Sequence, residues 1–101
     1  MRKETKAMNL LDVYEERLYI YHRDGGVCRF CNEPVSIHEF QVSHIIANAK
    51  WARKKYGSEV IDHPMNKACT HAGRCNDGML ITFKTKQADE LAEKIKRELC
   101  K

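Results

Sequence analysis

Apolar residues recur every three or four positions over residues 9–23. Leu10, Tyr14, Leu18 and Tyr21 fall on one side, and the spacing predicts a helix that buries that side. Asn9 is placed to cap its start, with Asp12 in the first turn and Met8 and Val13 as a hydrophobic staple; Gly25-Gly26 ends it. The period then changes. Residues 36–46, Ser-Ile-His-Glu-Phe-Gln-Val-Ser-His-Ile-Ile, alternate as an extended segment or hairpin does, with Ile37, Val42 and Ile45 among the apolar positions. Residues 47–64 read as a linking loop whose first part suits a short basic helix, broken at Gly57-Ser58. A returning strand is expected over residues 65–70 and a helix over about 76–83. A last helix, about 86–100, has Thr85 as its cap and buries Ala88, Leu91, Ala92, Ile95 and Leu99. Neither internal repeats nor low-complexity tracts interrupt the pattern.

These elements predict an α+β chain of one domain over residues 1–101: an N-terminal helix within 1–24, a core over 28–83 and a C-terminal helix over 86–101. With 101 residues the hydrophobic core is modest, so a bound metal would matter to stability. No apolar run is long enough for a membrane span, and the first residues lead into a charged amphipathic segment rather than a signal-peptide hydrophobic region. No membrane partner and a cytoplasmic location are therefore expected.

Charge and cysteines change that picture more than bulk composition does. Residues 1–24 carry five basic and five acidic side chains, and residues 87–101 carry four of each. Residues 25–86 carry nine Lys/Arg against five acids, so the whole net charge of +4 lies in the middle. Lys50, Arg53, Lys54, Lys55 and Arg74 are the candidate phosphate contacts of a moderate basic footprint. Trp51, among them, is placed either to stack on a base or to pack the loop.

The five cysteines are Cys28, Cys31, Cys69, Cys75 and Cys100. An odd set with a C-x-x-C pair in a reducing compartment points to metal more than to disulfides. A redox pair usually opens a helix after a strand, whereas Cys28-Arg-Phe-Cys31 follows Gly25-Gly26 and precedes Asn32-Glu33-Pro34, as a metal knuckle does. Zinc wants four thiolate or imidazole ligands in a tetrahedron, and Cys28-x2-Cys31 with Cys69-x5-Cys75 supplies four thiols. The second spacing exceeds the usual two to four residues, and His71 is an alternative ligand in place of one cysteine. Cys100, on a polar–apolar helix boundary, is expected to pack as a small hydrophobe. Four thiolates on Zn²⁺ would bring the charge of the middle segment to about +2.

Between the knuckles lie Ser43-His44-Ile45-Ile46 and His63-Pro64-Met65-Asn66, and Cys75-Asn76 follows at the predicted helix start. This order resembles the zinc-bearing HNH, or ββα-metal, endonucleases, over about residues 28–83. The resemblance implies a small zinc-stapled ββα-metal fold with the two outer helices added. It also implies phosphodiester hydrolysis, with His44 as the general base and Asn66 as the central asparagine that orients the histidine and pins the loop. Asn76 would hold a catalytic Mg²⁺ or Mn²⁺, and the helix starting there would turn its N–H groups toward the phosphate. Family members usually place Asp or His immediately before the general base as a second ligand. Ser43 stands there, and a hydroxyl is a poorer ligand than a carboxylate. Asp77, or Asp62 with His63, is a further candidate to assist.

The resemblance thus implies a metal-dependent endonuclease or nickase acting on nucleic acid, DNA in the first place. The alternative is an inactive module on the same scaffold that binds nucleic acid, or a protein partner through the amphipathic terminal helices. His22 and His38 belong to no motif and read as surface or packing residues.

Overall fold

The computed structural model describes residues 10–81 and 85–101, with side chains from residue 13 onward. In chain order its elements are α1 (Leu10–Arg23), β1 (Gln41–His44), α2 (Lys50–Tyr56), α3 (Ser58–Ile61), β2 (Lys67–Thr70), α4 (Arg74–Met79) and α5 (Lys86–Leu99), with one 3-10 turn at Pro64–Asn66. The architecture is α+β, a two-stranded antiparallel sheet with helices around it. No helix among the described residues is long and apolar enough to cross a membrane.

α1 docks by its C-terminal half. Ile20 is fully buried and Tyr21 half-buried, whereas Tyr14, expected on the buried side, is 59% exposed. Tyr21 donates to the Val35 carbonyl (2.8 Å) and Arg17 to that of Phe40 (3.2 Å), so polar contacts aim the same end at the following loop. The cap and staple proposed at Met8 and Asn9, and the side chains of Leu10 and Asp12, lie outside the described residues.

The extended segment expected over residues 36–46 is shorter than its alternation suggests. Ser36 accepts from the N–H groups of Glu39 (3.0 Å) and Phe40 (2.9 Å) through its carbonyl, and its hydroxyl takes the His38 N–H (3.1 Å). That local turn outcompetes a strand, and β1 begins only at Gln41. β1 and β2 pair as Gln41↔Thr70, Val42↔Cys69, Ser43↔Ala68 and His44↔Lys67. Alternation therefore places Val42, His44, Lys67 and Cys69 on one side of the sheet and Ser43, Ala68 and Thr70 on the other.

The long connection between the strands holds the expected basic helix, α2. Gly57 stops it at φ 95°, a conformation that favours glycine, and donates its N–H to Arg53 O (2.9 Å). α5 is capped by Thr85, whose hydroxyl accepts the Ala88 N–H (3.1 Å). It buries Ala88, Ala92 and Ile95; Leu91 is half-buried and Leu99 is 44% exposed.

Two apolar clusters result. The larger joins Ile46, Ala52, Tyr56, Val60, Ile61, Ala88, Ala92 and Ile95 beneath α2, α3 and α5. The smaller joins Ile20, Val35, Phe40 and Cys69 between α1 and the sheet. α4 starts at Arg74 rather than Asn76 and packs on β1; the expected helix end at Phe83 lies outside the described residues.

Candidate metal centre and its surroundings

The first knuckle is a backbone device. The Cys28 N–H donates to Glu33 O (2.9 Å) and the Asn32 N–H returns to Cys28 O (2.8 Å), with Asn32 at φ 66°. The Arg29 N–H reaches Cys69 O (2.9 Å), fastening the knuckle to β2. His71 leaves the end of β2, and Cys75 sits in the first turn of α4. The Cys28, Cys31 and Cys75 sulfurs and a His71 ring nitrogen all lie within 4.8 Å of one another.

The geometry fits zinc. Zn–S near 2.3 Å and Zn–N near 2.0 Å at a tetrahedral angle require S···N edges of about 3.5 Å. His71 Nδ1 stands 3.5 Å from the Cys31 sulfur and 3.8 Å from that of Cys75. His71 Nε2 lies 3.1 Å from the Pro34 carbonyl, which only accepts, so the ring proton belongs on Nε2 and the Nδ1 lone pair faces the thiols. These four side chains form a cluster compatible with a zinc site.

Two thiols of the cluster shift in opposite directions. Burial raises the Cys28 pKa, but donation from the Cys31, His71 and Phe30 backbone and the His71 side chain prevails and brings it down to about 6. Desolvation, then hydrogen bonds and charge from Cys28 and Cys31, push Cys75 up to about 11. A cation bound among them would favour the thiolate form of all three cysteines.

Cys69, expected among the ligands, is not a member of this cluster; His71 holds the fourth position. Cys69 is fully buried and faces Ile20, Val35 and Phe40. Burial, followed by the negative charge of Asp24, pushes its thiol up to about 11. Its contribution is made by backbone: its carbonyl receives Arg29, and its N–H donates to Asp24 Oδ2 (2.9 Å). The signal for His71 was in the spacing, because His71-x3-Cys75 falls in the usual range whereas Cys69-x5-Cys75 does not.

His44 closes β1. Burial first, and then the charge of Lys67 across the strand pair, lower its pKa from the ordinary value. Lys67 is ion-paired to Glu16 of α1 (2.8 Å), and the Arg53 guanidinium to Asp62 (2.6 Å) with its Nε on Asn48 (2.9 Å). Asn66 is fully buried: its Oδ1 accepts the Ile46 N–H (2.7 Å) and its Nδ2 donates to Ile46 O (3.1 Å) and Ile61 O (3.0 Å). Its own carbonyl takes the Ile45 N–H (2.8 Å). Asn66 thus clamps the two residues that follow His44.

Other expected positions stand differently. Ser43 is 1% exposed on the opposite side of the sheet from His44, and its hydroxyl is shared with that of Thr70 (2.6 Å). Its hydroxyl, considered above as a divalent-ion ligand, is thus engaged within the sheet. Asn76 is half-buried at the third residue of α4, so the helix does not open on it. Asp62 is occupied by Arg53, and His63 Nδ1 accepts the Met65 N–H (3.1 Å) as the cap of the 3-10 turn. Among the five candidate phosphate contacts, Arg53 is paired with Asp62 and Lys55 with Asp89 (3.5 Å). Lys50, Lys54 and Arg74 are exposed and have no acidic partner among the described residues. Trp51 packs against the larger cluster, edge-on to Tyr56 with ring centroids 6.3 Å apart.

Comparison with protein-family models, curated proteins and solved structures finds no match to this chain.

Proposed function

We propose that this chain is a nucleic-acid phosphodiester hydrolase of the HNH type, stapled by zinc on Cys28, Cys31, His71 and Cys75 and dependent on a second, catalytic divalent ion. One observation carries the reading: His44 ends β1 as a half-buried imidazole that favours its neutral form, and the turn after it is pinned by the buried amide of Asn66. A neutral imidazole accepts a proton near pH 7, which is what a water nucleophile needs to lose. In the proposed reaction His44 takes a proton from water, the water oxygen bonds to phosphorus, and the bond to the 3′ oxygen breaks, leaving its electron pair on that oxygen, which takes up a proton from solvent water to become the 3′ hydroxyl. Mg²⁺ or Mn²⁺, with Asn76 as its protein ligand, would offset the charge gathering on the phosphate. Lys50, Lys54 and Arg74 supply exposed positive charge for the flanking backbone.

Conversion of supercoiled plasmid to nicked or linear DNA tests this, using zinc-loaded protein dialysed free of other metals. Addition of Mg²⁺ or Mn²⁺ should start conversion, and His44→Ala should reduce it by at least 10²-fold, as expected for loss of a general base. Conversion unaffected by His44→Ala would refute the assignment. Omitting the second metal is a better control than a strong chelator, which would also strip the zinc site.

Ser43 favours a second reading. With its hydroxyl committed to Thr70, the side before His44 offers no ligand of the usual kind, as in a scaffold that retains binding without turnover. Salt-sensitive DNA binding with no conversion in either metal would select that reading.

A further inference from the structure

The charged groups facing His44 are arranged as two neutral pairs, but the pairs differ. Arg53 uses Nε, Nη1 and Nη2 on Asn48 and Asp62, a fork that leaves little for a ligand. Lys67 stands directly across the strand pair from His44, and its side chain is 11% exposed. Of its three N–H donors one goes to Glu16 (2.8 Å), and none of the described residues accepts from the other two. An ammonium so far withdrawn from water, held by one carboxylate alone, has donor capacity for a second acceptor oxygen.

Glu16 has the chemistry of a stand-in. A carboxylate carries one negative charge on two oxygens, and so does a backbone phosphodiester. The Glu16 side chain, midway along α1, is 23% exposed, and it holds Lys67 by a single contact at the end of a side chain with rotatable bonds. We propose that Lys67 is a phosphate-binding residue beside His44 and that Glu16 occupies its place until a nucleic-acid phosphate displaces it. This rests on the nucleic-acid reading above. It adds a specific subsite to that reading: nucleic acid is gripped next to the proposed base by a cation that is masked in the free protein, not only by the exposed lysines of α2.

Binding of a fluorescein-labelled DNA duplex, measured by anisotropy over a NaCl series without a catalytic divalent ion, tests the subsite separately from turnover. Lys67→Gln should weaken binding several-fold and lower the log–log salt slope by about 0.9, one phosphate contact, while Lys67→Arg should restore the slope. Glu16→Gln should tighten binding several-fold, because it removes the competitor and leaves the ammonium. Lys54→Gln is the comparison for an exposed cation and should lower the slope without any dependence on Glu16. A wild-type slope in Lys67→Gln, or weakening by Glu16→Gln to match Lys67→Gln, would overturn the proposal and leave the pair a structural one. Should Lys67→Gln fail its thermal-melting check, the sign of the Glu16→Gln effect decides alone. No duplex binding by wild type at low salt would sink the nucleic-acid reading and this subsite together, whereas binding with an unaltered slope sinks the subsite only.

Discussion

An antiparallel strand turns alternate side chains to opposite faces. Cys69, inside β2, is thereby delivered to the α1 side among Ile20, Val35 and Phe40, while His71, one residue past the strand, is free to turn toward Cys31 and Cys75. Elemental analysis of purified variants separates these roles: Cys69→Ala should retain about one zinc per chain despite weaker packing, and His71→Ala should lose most of it. Zinc loss in Cys69→Ala alone would reverse the assignment. The cysteine knuckle, and with it a cluster able to hold a cation, was legible in the residues, but the choice between Cys69 and His71 turns on where β2 ends, which a residue pattern places only to within a few positions. Ser43 is similar: its neighbour relation to His44 is visible in the chain, whereas its burial against Thr70 follows from register. For His44, burial and then Lys67 hold the folded pKa below the ordinary 6.5. The unfolded chain binds its proton more readily, so the stability His44 contributes is present above about 6.5 and is lost as pH falls through the lower folded value. A titration of its imidazole signals by NMR should give a midpoint below 6.5 that rises in Lys67→Gln; a midpoint at or above 6.5 in wild type would contradict the environment described.

At the scale of elements, α4 shows how the knuckle and the sheet are fitted together. Phe30, between the two knuckle cysteines, lies over Gly78 so closely that a methyl group there would overlap the far edge of its ring. Alanine is preferred to glycine within a helix by about 1 kcal/mol, so propensity does not account for Gly78, and the ring is the neighbour that opposes a side chain there. The two effects should separate in a double-mutant cycle. Phe30 is 46% exposed and its ring must swing aside for a methyl group, so Gly78→Ala is expected to gain less in wild type than in a Phe30→Ala background, where propensity alone should stabilise by roughly 0.5–1 kcal/mol. Equal effects in both backgrounds, read from denaturant melts, would show that the ring does not constrain the glycine. Elements whose signals are local were readable beforehand. α2 ends at a glycine with positive φ, and α5 combines a threonine cap with Ala88, Ala92 and Ile95 at helical spacing. The elements read less well depend on distant partners or on competing turns. Among the described residues α1 buries Ile20 and not Tyr14, its contacts with the sheet and the loop before it running from Glu16 onward, and the Ser36 turn shortens the strand that alternation extends to residue 36.

For the whole molecule, the two apolar clusters are unequal in what holds them. The larger has eight buried residues drawn from the loop after β1 and from α2, α3 and α5. The smaller has four, one of them Cys69, and sits beside the segment that the Cys28–Cys31 knuckle, His71 and Cys75 would tie together through a metal. A metal joining residues 28 and 75 also removes much of the freedom of the chain between them in the unfolded state. Zinc removal should therefore act unevenly. With a strong chelator, amide hydrogen exchange is expected to accelerate first in the knuckle, the Ser36–Phe40 turn and α4, while Ala52, Val60, Ile61, Ala92 and Ile95 keep protection longer. The Asn66 clamp makes the opposite outcome informative, because its side chain binds Ile46 and Ile61, both in the larger cluster, and its carbonyl holds Ile45 at the end of β1. Simultaneous loss of protection everywhere, abolished as a single step in zinc-reloaded protein, would mean that this clamp couples the sheet so firmly to the helical core that the staple supports both. Under the uneven outcome His44 lies at the boundary between a metal-dependent half and a metal-independent half, and its imidazole signals should broaden or shift on chelation before those of the helical core do.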